Sequence, residues 1–142
     1  MKIKTNFAPV FYLVTLLIIP VLFIQALWLR FKTVKLPEPS GKRSGTCGEG
    51  DAISLLVIGD SAAAGVGVSN QTNALAGQLS KKLSAKRKVN WTLIANTGLT
   101  SVGLIEKFSA LTMQKFDYIL VSIGVNDVTH LTTKDHWLNN IK

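Results

Sequence analysis

The chain has 142 residues, 16 Lys and Arg against 8 Asp and Glu, a formal net charge of +8 and one cysteine. That length is about one domain, and a single Cys47 excludes an internal disulfide and any multi-cysteine metal site. The positive charge sits in two places, around an apolar run near the start and in Lys81, Lys82, Lys86, Arg87 and Lys88. No aromatic residues are interleaved with that cluster as a single-strand binder needs, so it fits a solvated helix end or anionic lipid and not nucleic acid.

After a basic N-terminus, residues 1–6 with Lys2 and Lys4, residues 7–29 read "FAPVFYLVTLLIIPVLFIQALWL" without a charge. At about 1.5 Å per residue this run crosses a hydrocarbon layer of about 30 Å. Tyr12 and Trp28 lie near its ends, where amphipathic rings prefer the interface. A cleaved signal peptide shares the basic start, but the run is long for one and "IQALWLRFK" has no small-x-small cleavage site. A soluble helix would need a core covering every side of it. The expectation is therefore an uncleaved transmembrane anchor in a single-pass membrane protein, with Pro20 tolerated as membrane helices allow. Arg30, Lys32, Lys35, Lys42 and Arg43 follow the run, so both flanks are basic. Positive-inside leans towards a cytoplasmic C-terminal part without fixing the orientation.

Residues 30–51 are rich in proline, glycine and charge with almost no apolar periodicity, and are expected to form a linker. Cys47 stands too far beyond the apolar run to be a lipid-attachment cysteine.

From residue 52 the pattern becomes regular. "ISLLVIG" from Ile53, "KVNWTLIAN" from Lys88 and "DYILVSIG" from Asp117 are short, nearly continuous apolar runs, as in buried parallel strands. Between them, residues 73–85 and 101–113 place Leu75, Leu79 and Leu83, then Leu104, Ile105, Phe108 and Leu111, at helical spacing. Alternating strand and helix predicts an α/β fold with right-handed crossovers. Ligands in such sheets sit beyond the carboxyl ends of the strands. That edge collects "GDSAAAG", "ANTGLTS" and "GVNDVTH". Ser61 is then either a nucleophile or a helix cap, since Ser and Asp both favour N-caps.

These three blocks resemble the SGNH (GDSL-type) hydrolase family, in "GDS" with Ser61, "NTG" with Gly98 and "GVND" with Gly124, Asn126 and Asp127, over residues 53–140. "GDSAAAGVGV" and "GVNDVT" are most similar to membrane-anchored or exported bacterial members. The resemblance implies a flavodoxin-like three-layer α/β/α domain with a parallel sheet over residues 52–142. It implies a serine ester hydrolase working through an acyl-serine intermediate, with no metal or organic cofactor. By the same resemblance Ser61 is the nucleophile, and the backbone N–H groups of Ser61 and Gly98 with the Asn126 amide form the oxyanion hole. Donors of this kind stabilise the tetrahedral oxyanion, and a serine hydroxyl needs a base to become reactive. The GxSxG elbow does not fit, because Ala63 stands two after Ser61. The dinucleotide GxGxxG does not fit either, because "GVGVSN" lacks its last glycine. Asp60 is expected to serve the turn.

The family's base is a histidine in a late DxxH block. Here only His130 and His136 exist. "DVTH", Asp127 to His130, has the spacing but lies inside the third block, too local to reach across the sheet edge, so neither histidine is expected to act as base. The family fold uses about five parallel strands and three are countable. The expectation is the N-terminal portion of a longer hydrolase, inactive alone. The substrate class is an ester of a small molecule, lipid or carbohydrate, with the bilayer as the other partner; oligomeric state is open. A non-catalytic, membrane-tethered α/β binding module is the alternative.

Overall fold

A computed structural model describes residues 8–109 and 114–142. The chain separates into two units, divided between Lys35 and Leu36. The first consists of α1 (Ala8–Lys32), which covers the expected anchor except Phe7, outside the described residues, and runs on through Arg30 to Lys32. It is the one helix among the described residues long and apolar enough to cross a membrane. Its large apolar residues are exposed all round. Lys32 Nζ lies 4.6 Å from the Trp28 ring centroid at its C-terminal end.

The second unit is built on a four-stranded sheet of β1 (Ser44–Cys47), β2 (Ala52–Gly59), β3 (Lys88–Ala95) and β4 (Tyr118–Ser122), in the order β1-β3-β2-β4. β2, β3 and β4 are parallel, as their continuous apolar runs predict. β1 is antiparallel to β3, so the sheet is mixed.

That fourth strand falls inside residues 30–51, read from the sequence as a linker, and corrects that reading. β1 is four small or polar residues with no alternating pattern, and it is mostly exposed, so it carries none of the apolar signal by which strands are recognised. Its pairing with β3 is long-range in sequence and polar. Thr46 Oγ1 donates to Asn90 Oδ1 at 2.8 Å and Leu93 N–H donates to Arg43 O at 2.7 Å. Gly45 lies so close to Trp91 that a Cβ there would stand 3.1 Å from Nε1.

The central strand β2 is buried along its length except at Ala52 and Ser54. Alternate residues face opposite sides, as strand geometry demands. Ile53, Leu55 and Val57 pack with Val89, Leu93, Ala63, Ala64 and Ala76 beneath α2 (Ser61–Ala64) and α3 (Leu75–Leu83). Leu56 and Ile58 pack with Leu104 of α4 (Ser101–Ser109) on the other face. Helices therefore cover both faces in the expected three layers. Burying each of Leu56 and Val57, both fully enclosed, contributes about 1.5–3 kcal/mol. α3 starts later than residue 73, because residues 71–73 form a separate 3-10 turn capped by Asn70, and it ends at Leu83, short of residue 85. The expected end of α4 at residue 113 lies outside the described residues. Two short helices close the chain, α5 (Val125–Thr129) and α6 (Lys134–Asn140).

Candidate active site

The three parallel strands end level with one another. Gly59 pairs with Ala95 on one side and Ser122 on the other. Asp60 N–H donates to Ser122 O at 3.0 Å, and Asn96 N–H to Gly59 O at 3.3 Å. Gly59 is needed for this approach, because a Cβ would stand 2.0 Å from Ser122 O and 2.8 Å from Ala63 Cβ. The segments after β2, β3 and β4 thus leave the sheet at one height, the edge where open α/β sheets bind ligands.

At the first strand end the cap is Asp60 and not Ser61. Asp60 has extended backbone, is buried, and its Oδ1 accepts from Ala62 N–H at 3.0 Å. Ser61 is the first residue of α2, half-buried. Neither its hydroxyl nor its N–H has a hydrogen-bond partner among the described residues. The helix stops four residues on at Gly65, in left-handed conformation at φ 84, where glycine is at no steric disadvantage.

At the second strand end Gly98 has φ 81, and a Cβ there would meet nothing within 4 Å. Backbone conformation demands glycine here, and the space before it is open. Its N–H also has no partner among the described residues. The preceding Thr97 donates both N–H and Oγ1 to Glu38 Oε1, at 2.6 and 2.7 Å. Glu38 Oε2 in turn pairs with Arg43, whose guanidinium also donates to Ala95 O. The two Thr97 bonds, with Arg43 alongside, hold the Glu38 carboxyl below its ordinary pKa.

At the third strand end Asn126 is the second residue of α5, and its Nδ2 donates to Leu99 O at 2.9 Å. One amide N–H is thereby used and the other is left to give. The neighbouring Asp127 is buried and accepts from Ser101 N–H at 3.0 Å and Ser101 Oγ at 2.6 Å. Asn140 Nδ2 donates to the same Ser101 Oγ at 2.9 Å. Asp127 therefore holds the first turn of α4, and its carboxylate makes no bond to His130. His130 ends α5 and His136 lies in the first turn of α6, both exposed. Among the described residues neither imidazole is hydrogen-bonded to Ser61 or to a carboxylate.

Residues 57–142 match the model of the GDSL-like Lipase/Acylhydrolase family, well over half of the chain. The chain belongs to this family. Among solved structures, the GDSL-like domain is similar to that titled "Crystal Structure of TesA", at 24% identity and a TM-score of 0.56. The likeness covers 62% of this chain and 49% of that one, so the chain spans about half the length of that structure, and it bears on the fold. No curated protein matches the chain. Membership puts the chain in a family of GDSL-like lipases and acylhydrolases.

Ser61, Gly98 and Asn126 of this GDSL-like domain thus lie at one sheet edge, on the three strand ends expected from the sequence. Glu38 and Arg43 escaped sequence reading. They sit in a proline- and glycine-rich stretch where a charged pair has no spacing signal, and both precede the residues that the family model matches. Ser101 and Asn140 were missed too, as partners made only by the fold.

Proposed function

We propose that the chain is the nucleophile-bearing part of a membrane-tethered serine ester hydrolase acting through an acyl-serine intermediate. Residues 1–6 and 7–29 are then basic start and anchor, and residues 52–142 the hydrolase domain. Ser61 Oγ attacks the ester carbonyl carbon and gives its proton to a base. The carbonyl electron pair moves onto oxygen, where the N–H groups of Ser61 and Gly98 and the Asn126 amide stabilise it. Collapse expels the alcohol and leaves the acyl group on Ser61, for water to remove.

The observation that carries this reading is that the level strand ends hold two backbone N–H groups, at Ser61 and Gly98, with no protein partner. Gly98 is exposed and Ser61, the first residue of α2, is half-buried. Neither N–H is claimed by the protein and both are open to a ligand, which with the free Ser61 hydroxyl fits an anion that forms during reaction. Asn126 adds a third N–H from the neighbouring strand end. No base stands beside them among the described residues, which supports an inactive chain in isolation.

The full chain in detergent is expected to hydrolyse p-nitrophenyl acetate barely above background and to label poorly with a fluorophosphonate. A longer form carrying a late DxxH block gains both, and Ser61→Ala removes the gain. Enzyme-like turnover by the 142 residues alone, lost on His130→Ala, would make "DVTH" the base and overturn the missing-base reading. Activity of the longer form that survives Ser61→Ala leaves Ser61 a helix residue only.

A further inference from the structure

The loop after β3 carries Gly98, yet no packing holds that residue. Its φ is left-handed and the space where a side chain would stand is empty to 4 Å. The loop is fixed instead by its two neighbours. On one side Leu99 O is held by Asn126 Nδ2 at 2.9 Å, and Leu99 N–H closes a turn onto Asn96 O at 3.2 Å. On the other side Thr97 is held twice by one carboxylate oxygen, Glu38 Oε1, through its N–H and its hydroxyl.

Glu38 is itself braced. Arg43 spans from Glu38 Oε2 to the carbonyl of Ala95, the last residue of β3. A guanidinium presents its donors in a fixed fork, so it holds two acceptors at a set separation. Carboxylate, guanidinium, strand end and loop thus form a closed bracket around residues 95–97. Arg43 is anchored in turn by the pairing of its own backbone with Leu93 and of β1 with β3. The Thr97 N–H belongs to the Asn96–Thr97 peptide and the Gly98 N–H to the next one. With the Thr97 N–H and side chain both held, ψ of Thr97 is the torsion left between the bracket and the Gly98 N–H, and the Leu99 bonds limit it from the other side.

We propose that Glu38, braced by Arg43, is the positioning residue that aims the Gly98 N–H into the oxyanion hole, so that the segment before the family-matched region completes the active site. The proposal rests on the reading of Gly98 and Asn126 as oxyanion donors. Glu38 touches no substrate in this scheme; it acts through Thr97. A misplacement of about 1 Å costs on the order of 10²-fold in rate at a site of this kind, so a loop that wanders by less has a measurable effect.

The test uses the full chain in detergent micelles, with fluorophosphonate labelling of Ser61 measured in the presence of added imidazole as external proton acceptor. Glu38→Ala is expected to slow labelling by roughly 10-fold or more, up to the ~10²–10³ of a lost oxyanion donor. Glu38→Gln keeps an acceptor oxygen for Thr97 and restores most of the rate. The Gly98 and Thr97 amide resonances shift in Glu38→Ala, and the thermal midpoint stays within a few degrees of the parent. Asn126→Ala serves as the independent check on the hole. If Asn126→Ala slows labelling while Glu38→Ala does not, the positioning role is overturned and the oxyanion hole stands. If neither variant changes the rate, the oxyanion reading fails and takes this proposal with it. A rate loss in Glu38→Ala that Glu38→Gln does not restore, accompanied by a collapsed thermal midpoint, assigns Glu38 to stability alone and also overturns it.

Discussion

Gly59 and Gly98 flank the same site, but they are glycines for different physical reasons, and substitution separates them. At Gly59 the obstacle is a neighbour, since an added Cβ would stand 2.0 Å from the Ser122 carbonyl. Gly59→Ala must push β4 away, and overpacking of this kind typically costs about 1–3 kcal/mol. At Gly98 the obstacle is only the backbone angle, with no atom to strike. A left-handed alanine costs roughly 1–2 kcal/mol, and the loop can relax part of it. Urea unfolding of the two variants should therefore give the larger loss of stability for Gly59→Ala, with disturbed amides on β4, and a change confined to residues 96–99 for Gly98→Ala. Asp127 makes a third case. Removing its carboxylate leaves the buried Ser101 N–H without its partner, and an unsatisfied buried donor costs about 1–3 kcal/mol. Asp127→Ala should lower the unfolding midpoint accordingly, whereas His130→Ala should leave it unchanged. At this scale the sequence displayed the motif residues Ser61, Gly98 and Asn126 but not their partners. That Asp60 and not Ser61 caps α2 depends on which oxygen reaches Ala62 N–H, and both residue types suit a cap.

Among the elements, β2, β3 and β4 were legible because buried parallel strands are apolar along their whole length. β1 was not, because an edge strand of Ser, Gly, Thr and Cys is held by backbone pairing and by Arg43, neither of which leaves a periodic trace. The start of α3 was blurred by Asn70, whose side chain starts a 3-10 turn before the helix begins. The bracket that joins β1's flank to β3 carries a pH dependence. Glu38 is held below its ordinary pKa, chiefly by the Thr97 N–H and hydroxyl. The folded state thus favours the carboxylate, and the stabilisation is complete above the ordinary glutamate pKa and lost as the pH falls through the lowered folded value. Asp117 is likewise held low by Ser54 at the opposite end of the sheet, with the same sign. Hydrogen exchange should therefore show residues 96–99 losing protection in that acid window. Glu38→Gln is expected to remove this loss at residues 96–99 while leaving the Asp117 end of β4 as sensitive as before. An unaltered acid response in that variant would show that Glu38 does not govern the loop.

For the whole molecule, the anchor proposed for residues 7–29 predicts where the chain resides. Expressed in cells, it is expected to stay in the membrane pellet through an alkaline carbonate wash, and recovery of a soluble species beginning near residue 30 would establish cleavage instead. The sheet's other edge, β4, leaves Tyr118, Ile119 and Val121 each about half exposed. The sequence could not show this, because exposure of an apolar strand depends on which strands become its neighbours. The strand order has a further consequence, for biosynthesis. β2 lies at the centre of the sheet, yet its partner β4 comes 63 positions later, as the Ser54 to Asp117 contact records. At about 5–20 residues per second of translation, the most apolar strand of the nascent domain waits roughly 3–13 s for the neighbour that covers its second edge. A ribosome that pauses between these strands lengthens that wait, and with it the demand on chaperones that shield unpaired β2.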